Sequence, residues 1–195
     1  MVTHLHARSW FSFLAGGSPP EALARRASEL GQEALALTDL HGVYGLVRFA
    51  AACRKYAVRP ILGGTLLLEG FPLVLLAATQ EGYRLLCQLF SRWHAGQADL
   101  PERGEGLLCL TGGPEGRLDR LLRQKRRPEA LRWLDLLRER FPGALYVELA
   151  NRRQPGDAAA LERLVELARL RDLPCVASNA VRLATPDDFP RLDAL

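Results

Sequence analysis

An α/β fold with a mostly parallel sheet, layered or closed into a barrel, is what this sequence predicts. Three observations predict it. Short apolar runs alternate with amphipathic stretches along the whole chain. The run at 34–39 (ALALTD) is nearly all apolar, which suits a strand covered on both faces. The connections are short, as they are in repeated strand–helix units.

The elements follow in order. Residues 2–7 (VTHLHA) alternate and read as a strand. Ser18-Pro-Pro-Glu21 reads as a capping box with proline at the first helical position. Ala22, Leu23, Ala27 and Leu30 give that helix its apolar face, and Gly31 stops it. A second helix spans 43–56, with Val43, Leu46, Val47, Ala50 and Ala51 on its buried side. Arg59-Pro-Ile-Leu62 opens another strand, and a hairpin spans 64–78 with its turn at Glu69-Gly-Phe-Pro72. Residues 80–93 form a helix and 96–106 a polar loop. A strand at 107–110 precedes two helices near 114–125 and 128–140, separated at Arg127-Pro128. Then come a strand at 144–149, a helix at 157–171 and a strand at 174–177. Thr185-Pro-Asp-Asp188 reads as a second capping box. A helix announced so close to Leu195 suggests a fragment or shortened relative of a longer polypeptide, with residues 1–195 as one domain.

Composition narrows the function. The chain of 195 residues is 48% hydrophobic and 25% charged, ordinary for a globular domain. No apolar run is long enough for a membrane span and no signal peptide is visible, so a cytoplasmic location and no membrane partner are expected. Cys53, Cys87, Cys109 and Cys175 form no CxxC pair and read as reduced, buried thiols. The net charge of +4 is mildly basic. Lysine occurs only at 55 and 125, so arginine supplies nearly all the positive charge, a skew that lowers the weight of any single arginine.

Polar residues at strand ends carry most of the functional signal, because α/β folds collect their chemistry there. His4 and His6 lie two apart on a strand, on one face by simple alternation, and could share a divalent cation. They could equally be hydrogen-bonded residues without a metal. Asp39, in Thr38-Asp39-Leu40-His41-Gly42, suits a ligand or base, or the cap of the next helix. Glu148, within LYVELA, needs a partner or solvent. Asn179 follows a strand and suits a turn or a site. Gly-Gly pairs at 16–17, 63–64 and 112–113 are explained by turn chemistry. There is no GxGxxG, P-loop, GxSxG or HExxH.

These blocks together resemble the PHP (polymerase and histidinol phosphatase) domain. More narrowly, they resemble the N-terminal PHP domain of bacterial C-family DNA polymerases: the DNA polymerase III alpha subunit and its error-prone relative. The blocks that carry the resemblance are HLHARSWFSFLAGGSPPEALARRASELG, ALALTDLHGVYGLVRFAAACRKYAVRPILGG, LVLLAATQEGYRLLCQL, GLLCLTGG, LYVELA and LPCVASNAVRLATPDD. Tyr44-Gly45 and the brief 91–105 loop look more like the error-prone branch. The resemblance implies a distorted (β/α)7 barrel with His, Asp, Glu and Cys ligands around metals at the strand C-termini. The implied chemistry is phosphoester hydrolysis, in some polymerases a 3′–5′ exonuclease.

The sequence departs from that pattern at almost every ligand. The family's paired strand-1 histidines map to His6 and Arg8, with His4 matching an extra upstream histidine. Ala15, Leu40 and Thr65 stand where the family has aspartate, histidine and glutamate. The late Asn-Asp-Val-His motif reads Asn179-Ala180-Val181-Arg182. Residual metal candidates are His4, His6, Asp39 and His41, with His94 in a shifted position. Guanidinium cannot coordinate a cation, so Arg8 and Arg182 repel a divalent ion. They are expected to pair with Asp39 in a salt-bridge network, or else to hold a DNA phosphate.

Three functions remain open. The first is a non-catalytic PHP-like scaffold or accessory module in DNA replication or repair, its partner a polymerase core or other replication protein. The second is a metal-dependent phosphoesterase or 3′–5′ exonuclease with a remodelled site using His4, His6, Asp39 and His41. The third is a stand-alone DNA- or protein-binding module using the arginines between 117 and 140. No cofactor is expected under the first reading; the alternative is one weakly bound zinc or manganese ion.

Overall fold

The computed structural model describes residues 3–193, the side chain at 191 excepted. The elements in chain order are α1 (Pro20–Glu29), β1 (Ala34–Leu37), α2 (Leu46–Lys55), β2 (Arg59–Leu68), β3 (Phe71–Ala77), α3 (Gln80–His94) and β4 (Leu107–Leu110). After a 3-10 turn at Gly113–Glu115 come α4 (Arg117–Arg123), α5 (Arg127–Arg140), β5 (Leu145–Leu149), α6 (Asp157–Leu170) and β6 (Cys175–Ala177). A second 3-10 turn (Pro186–Asp188) leads into α7 (Phe189–Asp193).

The six strands form one sheet in sequence order. β1–β2, β4–β5 and β5–β6 are parallel, while β3 runs antiparallel to both neighbours. The sheet curls into a half-barrel and does not close completely, a distorted barrel of PHP type. The predicted strand at 2–7 is reduced to isolated parallel bridges, His4 with Leu35 and Ala7 with Val181. Residue 2 lies outside the described residues.

This segment spans the gap between the two sheet edges, and its bonding explains its irregularity. On one side Ala36 N–H donates to the His4 carbonyl (2.9 Å) and Thr38 N–H to that of Ala7 (2.7 Å). Three residues of the segment therefore oppose two of β1, which is a bulge. On the other side the register is regular: Arg8 N–H donates to Val181 O (2.8 Å) and Val181 N–H to His6 O (2.9 Å). Ala7 packs with Leu23 and Ala24 of α1, so His6 and Arg8 face the opposite way, into the curl.

Apolar residues fill both sides of the sheet. Leu66, Leu73, Leu75, Leu107 and Leu145 pack outward against α3 to α6. Leu35 and Leu37 pack against α1 and α2. Ala36, Val74, Leu76 and Leu110, with Leu5 and Tyr146 beside them, form a small inner cluster. Burial of the outer clusters is the main stabilising term, at about 25 cal/mol per Å² of apolar surface removed from water.

Several local expectations change. β2 runs unbroken through Gly63 and Gly64, so no turn lies there; Gly64 is needed because a Cβ would overlap the Phe90 ring. The hairpin turn is the pair Glu69-Gly70, both at positive φ, and Pro72 lies within β3 opposite Leu67. Neither capping box forms. α1 starts after Pro19 with no side-chain cap, while Ser18 Oγ donates to Asp188 (2.7 Å) and accepts from Ala184 N–H (2.8 Å). Thr185 makes no side-chain cap either. α2 buries Leu46, Phe49, Ala52 and Cys53, not Val47, which is 78% exposed. Seven of the ten residues of α2 are apolar, so periodicity alone could not choose its face. The break between α4 and α5 lies at Gln124–Arg126, where Lys125 takes a left-handed conformation, and Pro128 sits in the first turn of α5. Cys175 is exposed and Cys87 half-buried, against the expectation of four buried thiols; all four are free.

Candidate functional site

The site lies where the parallel strands end and the 4–8 segment crosses the gap. His6 and Glu148 meet there, 1% exposed each. His6 Nδ1–H donates to Glu148 Oε1 (2.9 Å), and Ser178 Oγ donates to the same oxygen (2.7 Å). The Glu148 backbone N–H is held by Thr111 Oγ1 (3.0 Å), which fixes β5 against the end of β4. Burial alone would raise the Glu148 pKa. The neighbouring His6 imidazole, the two hydrogen bonds and Arg8 outweigh that and hold the carboxyl below the ordinary glutamate value.

Arg8 is 3% exposed, which is unusual for a guanidinium. Its Nη1 lies 3.6 Å from Glu115 Oε2, and Arg182 Nη2 donates to the other oxygen of the same carboxylate. Both arginines therefore converge on Glu115 and not on Asp39, as the sequence had suggested. Burial lowers the Arg8 pKa, with Glu115 opposing the shift and Arg182 adding to it. Gly112 and Gly113, with φ of 88° and 60°, deliver Glu115 to this position. A Cβ on Gly112 would overlap the Pro72 carbonyl, so this Gly-Gly pair does more than make a turn.

Asp39 is buried and saturated by its own loop. It accepts from Ser9 N–H (2.6 Å), Ser9 Oγ (2.7 Å) and Ser12 Oγ (2.7 Å). Burial raises its pKa above the usual aspartate value; these bonds and Arg8 offset only part of the rise. Thr65 is fully buried and donates to the Thr38 carbonyl (2.8 Å). Leu40 bridges Thr65 through its backbone and donates its N–H to Ser12 Oγ (3.0 Å). Ala15 is half-buried, and its N–H donates to the Ser12 carbonyl. Ala180 and the exposed Asn179 line a cavity of about 280 Å³ together with Glu115, Asn151 and Arg152.

The remaining histidines go elsewhere. The bulge turns His4 away from His6, so the two do not share a face. His4 lines a separate cavity with Leu23 and Ala27 of α1. His41 sits at φ 54° with its ring stacked on Trp93 at 3.5 Å. Burial, then His94 and Arg8, push its pKa down to about 4. His94 Nε2–H donates to the His41 carbonyl (2.8 Å) and lies 2.9 Å from the Tyr44 hydroxyl. His41 and His94 thus belong to an aromatic cluster with Trp93 and Tyr44.

The metals that the family resemblance implies do not fit this donor set. Among the described residues no three His, Cys, Asp or Glu side chains are arranged to hold a metal ion. His6 Nδ1 and Glu148 Oε1 are spent on each other, which leaves only His6 Nε2 and Glu148 Oε2 unpartnered among the described residues; Asp39 is occupied by serines, and Arg8 places a fixed positive charge beside them. The arginine-rich stretch also has internal partners. Arg117, Arg123, Arg126, Arg127 and Arg138 each contact a carboxylate, and Arg120 lies over the Phe71 ring.

The PHP domain model matches residues 4–152. The chain belongs to the PHP domain family. It is 33% identical over 212 residues to the error-prone DNA polymerase of Symbiobacterium thermophilum, covering 95% of this chain and 20% of that protein. It is 32% identical over 203 residues to the DNA polymerase III subunit alpha of Escherichia coli K12, covering 95% and 18%. The chain thus spans about a fifth of the length of these relatives. In fold it is similar to an amidohydrolase from Chromobacterium violaceum, with TM-score 0.58, 14% identity and coverage of 98% and 96%. Glu148 and Glu115 are the carboxylates that the fold brings to His6, Arg8 and Arg182. Glu148 carried a sequence signal as a carboxylate inside an apolar strand. Glu115, in a Gly-Pro-Glu-Gly turn, carried none.

Proposed function

We propose that this PHP domain is a non-catalytic module of the DNA polymerase III alpha-subunit type, acting as scaffold in DNA replication or repair. The observation that carries the reading is Arg8. A buried guanidinium occupies the position that matches a metal-binding histidine of the family, and Glu115 and Arg182 complete an ion triad around it. On this reading His6, Arg8, Asp39, Leu40, Thr65, Ala180 and Arg182 are the remnant of a metal site. Ion pairs and hydrogen bonds now do the structural work a metal would have done. The domain needs no cofactor, works in the cytoplasm with its thiols reduced, and its partner is a polymerase core or another replication protein. No helix among the described residues is long and apolar enough to cross a membrane, which supports that setting.

Elemental analysis of protein purified without chelator, paired with hydrolysis assays on single-stranded DNA with manganese or zinc supplied, tests the proposal. The expected result is no multinuclear centre and no turnover above background. Two or more metals per chain, with activity lost in His6→Ala, would overturn it.

A further inference from the structure

The Arg8–Arg182 pair has a feature that a purely structural replacement leaves unexplained. Arg8 is almost wholly buried, yet its Nε has no hydrogen-bond partner among the described residues. Its charge is met by Glu115 at 3.6 Å, beyond hydrogen-bond distance. A buried guanidinium with unused donors is costly unless an anion with several acceptor oxygens engages it. Arg182 presents a second guanidinium to the same carboxylate from a half-exposed position. Glu115 itself lines the cavity of about 280 Å³ that Asn151, Arg152, Asn179 and Ala180 border at the strand ends. Neither Arg8 nor Arg182 lines that cavity, so it is open space beside Glu115 and not itself the seat of the anion.

We propose that Arg8 and Arg182 form a phosphate-binding site that Glu115 occupies as an internal anion and yields to an incoming phosphate group. Two guanidinium groups provide the forked donors that phosphate oxygens accept. Asp39 and Glu148 also face Arg8; Asp39 is held by Ser9 and Ser12, and Glu148 Oε1 by His6 and Ser178, with Glu148 Oε2 left without a hydrogen-bond partner. Glu115 is therefore the one carboxylate of the three with a direct contact to the arginines. Replacing it with a phosphodiester exchanges one negative charge for another, so the surrounding ion pairs keep their balance. Glu115 ends the three-residue turn Gly113–Glu115, outside the sheet, and its side chain is already 35% exposed.

The exchange is tested by titrating inorganic phosphate into the wild-type chain and into Glu115→Ala, Arg182→Ala and the double variant, each shown to be folded by circular dichroism. Glu115→Ala removes the competitor, and phosphate is expected to bind about tenfold tighter, the worth of roughly one charge-assisted hydrogen bond. Adding Arg182→Ala should abolish that gain. No gain in a folded Glu115→Ala variant would overturn the proposal, as would a gain that survives loss of Arg182. The same variants titrated with a short single-stranded oligonucleotide identify the source of the phosphate. Binding that depends on Arg182 and weakens with salt assigns the site to a nucleic-acid backbone. Arg182-dependent binding of inorganic phosphate alone assigns it to a free phosphate or monoester. Failure here leaves the scaffold reading standing, because that reading falls only to bound metal and turnover.

Discussion

Replacing His6 with alanine isolates the energetics of the buried site. The Glu148 carboxylate would keep its hydrogen bond from Ser178 but lose the imidazole 2.9 Å away, in surroundings that exclude solvent. Removing a hydrogen-bond donor from a buried carboxylate costs about 1–3 kcal/mol, because no solvent replaces it. For a chain of this size that corresponds to a fall of about 2–12 °C in melting temperature, at roughly 2–4 °C per kcal/mol. Chemical denaturation of wild type, His6→Ala and His6→Ala/Glu148→Gln gives the comparison. The double variant should recover part of the loss, since it removes the stranded charge while leaving the cavity. The pH dependence has a definite sign. The folded-state pKa of Glu148 lies below its ordinary value of 4.5, so its contribution is complete above that value and is lost as pH falls through the folded pKa. The gap between wild type and His6→Ala should therefore narrow in acid. A cost under about 1 kcal/mol at pH 7, or no recovery in the double variant, would refute the pairing as a stabilising element.

Three further outcomes follow from other parts of the molecule. His41 titrates at about 4 in the folded chain against an ordinary 6.5, so the unfolded chain takes up the proton first and stability should decline as pH falls from 6.5 to 4. His41→Asn, which tolerates the left-handed backbone, should flatten that slope in denaturation series at pH 7, 5.5 and 4.5; an unchanged slope counts against the assignment. Gly82→Ala would gain about 1 kcal/mol from helix propensity alone, but its Cβ would overlap the Gly106 carbonyl oxygen. The net effect should be destabilising by about 1–3 kcal/mol, and a raised melting temperature would contradict the close approach. Ser18→Ala removes both hydrogen bonds that tie residues 184 and 188 to the start of α1. Limited trypsin digestion should then cut faster after Arg182, whereas an unchanged rate would show that this tether is idle.

The α/β class, most helices and the apolar strands were legible in the sequence because they rest on short-range patterns. Apolar periodicity, proline in a first turn and glycine at chain reversals act within windows of a few residues. The same holds for the chemical identity of the changed positions: Arg8 and Arg182 declare that a metal is disfavoured wherever they sit, since a guanidinium keeps its proton. Tertiary structure alone decided which groups meet. Alternation put His4 and His6 on one face, yet the bulge created by pairing with β1 separates them and aligns His6 with Arg8. Glu148 finds His6 across 142 residues of chain, and Arg182 finds Glu115 across 67. Asp39, the natural partner on sequence grounds, is satisfied by two serines of the 9–12 loop. Which carboxylate a buried arginine meets depends on how far the sheet curls and where the 113–115 turn is delivered. No local propensity encodes that, because desolvation and charge pairing act between segments that only the closed fold brings together.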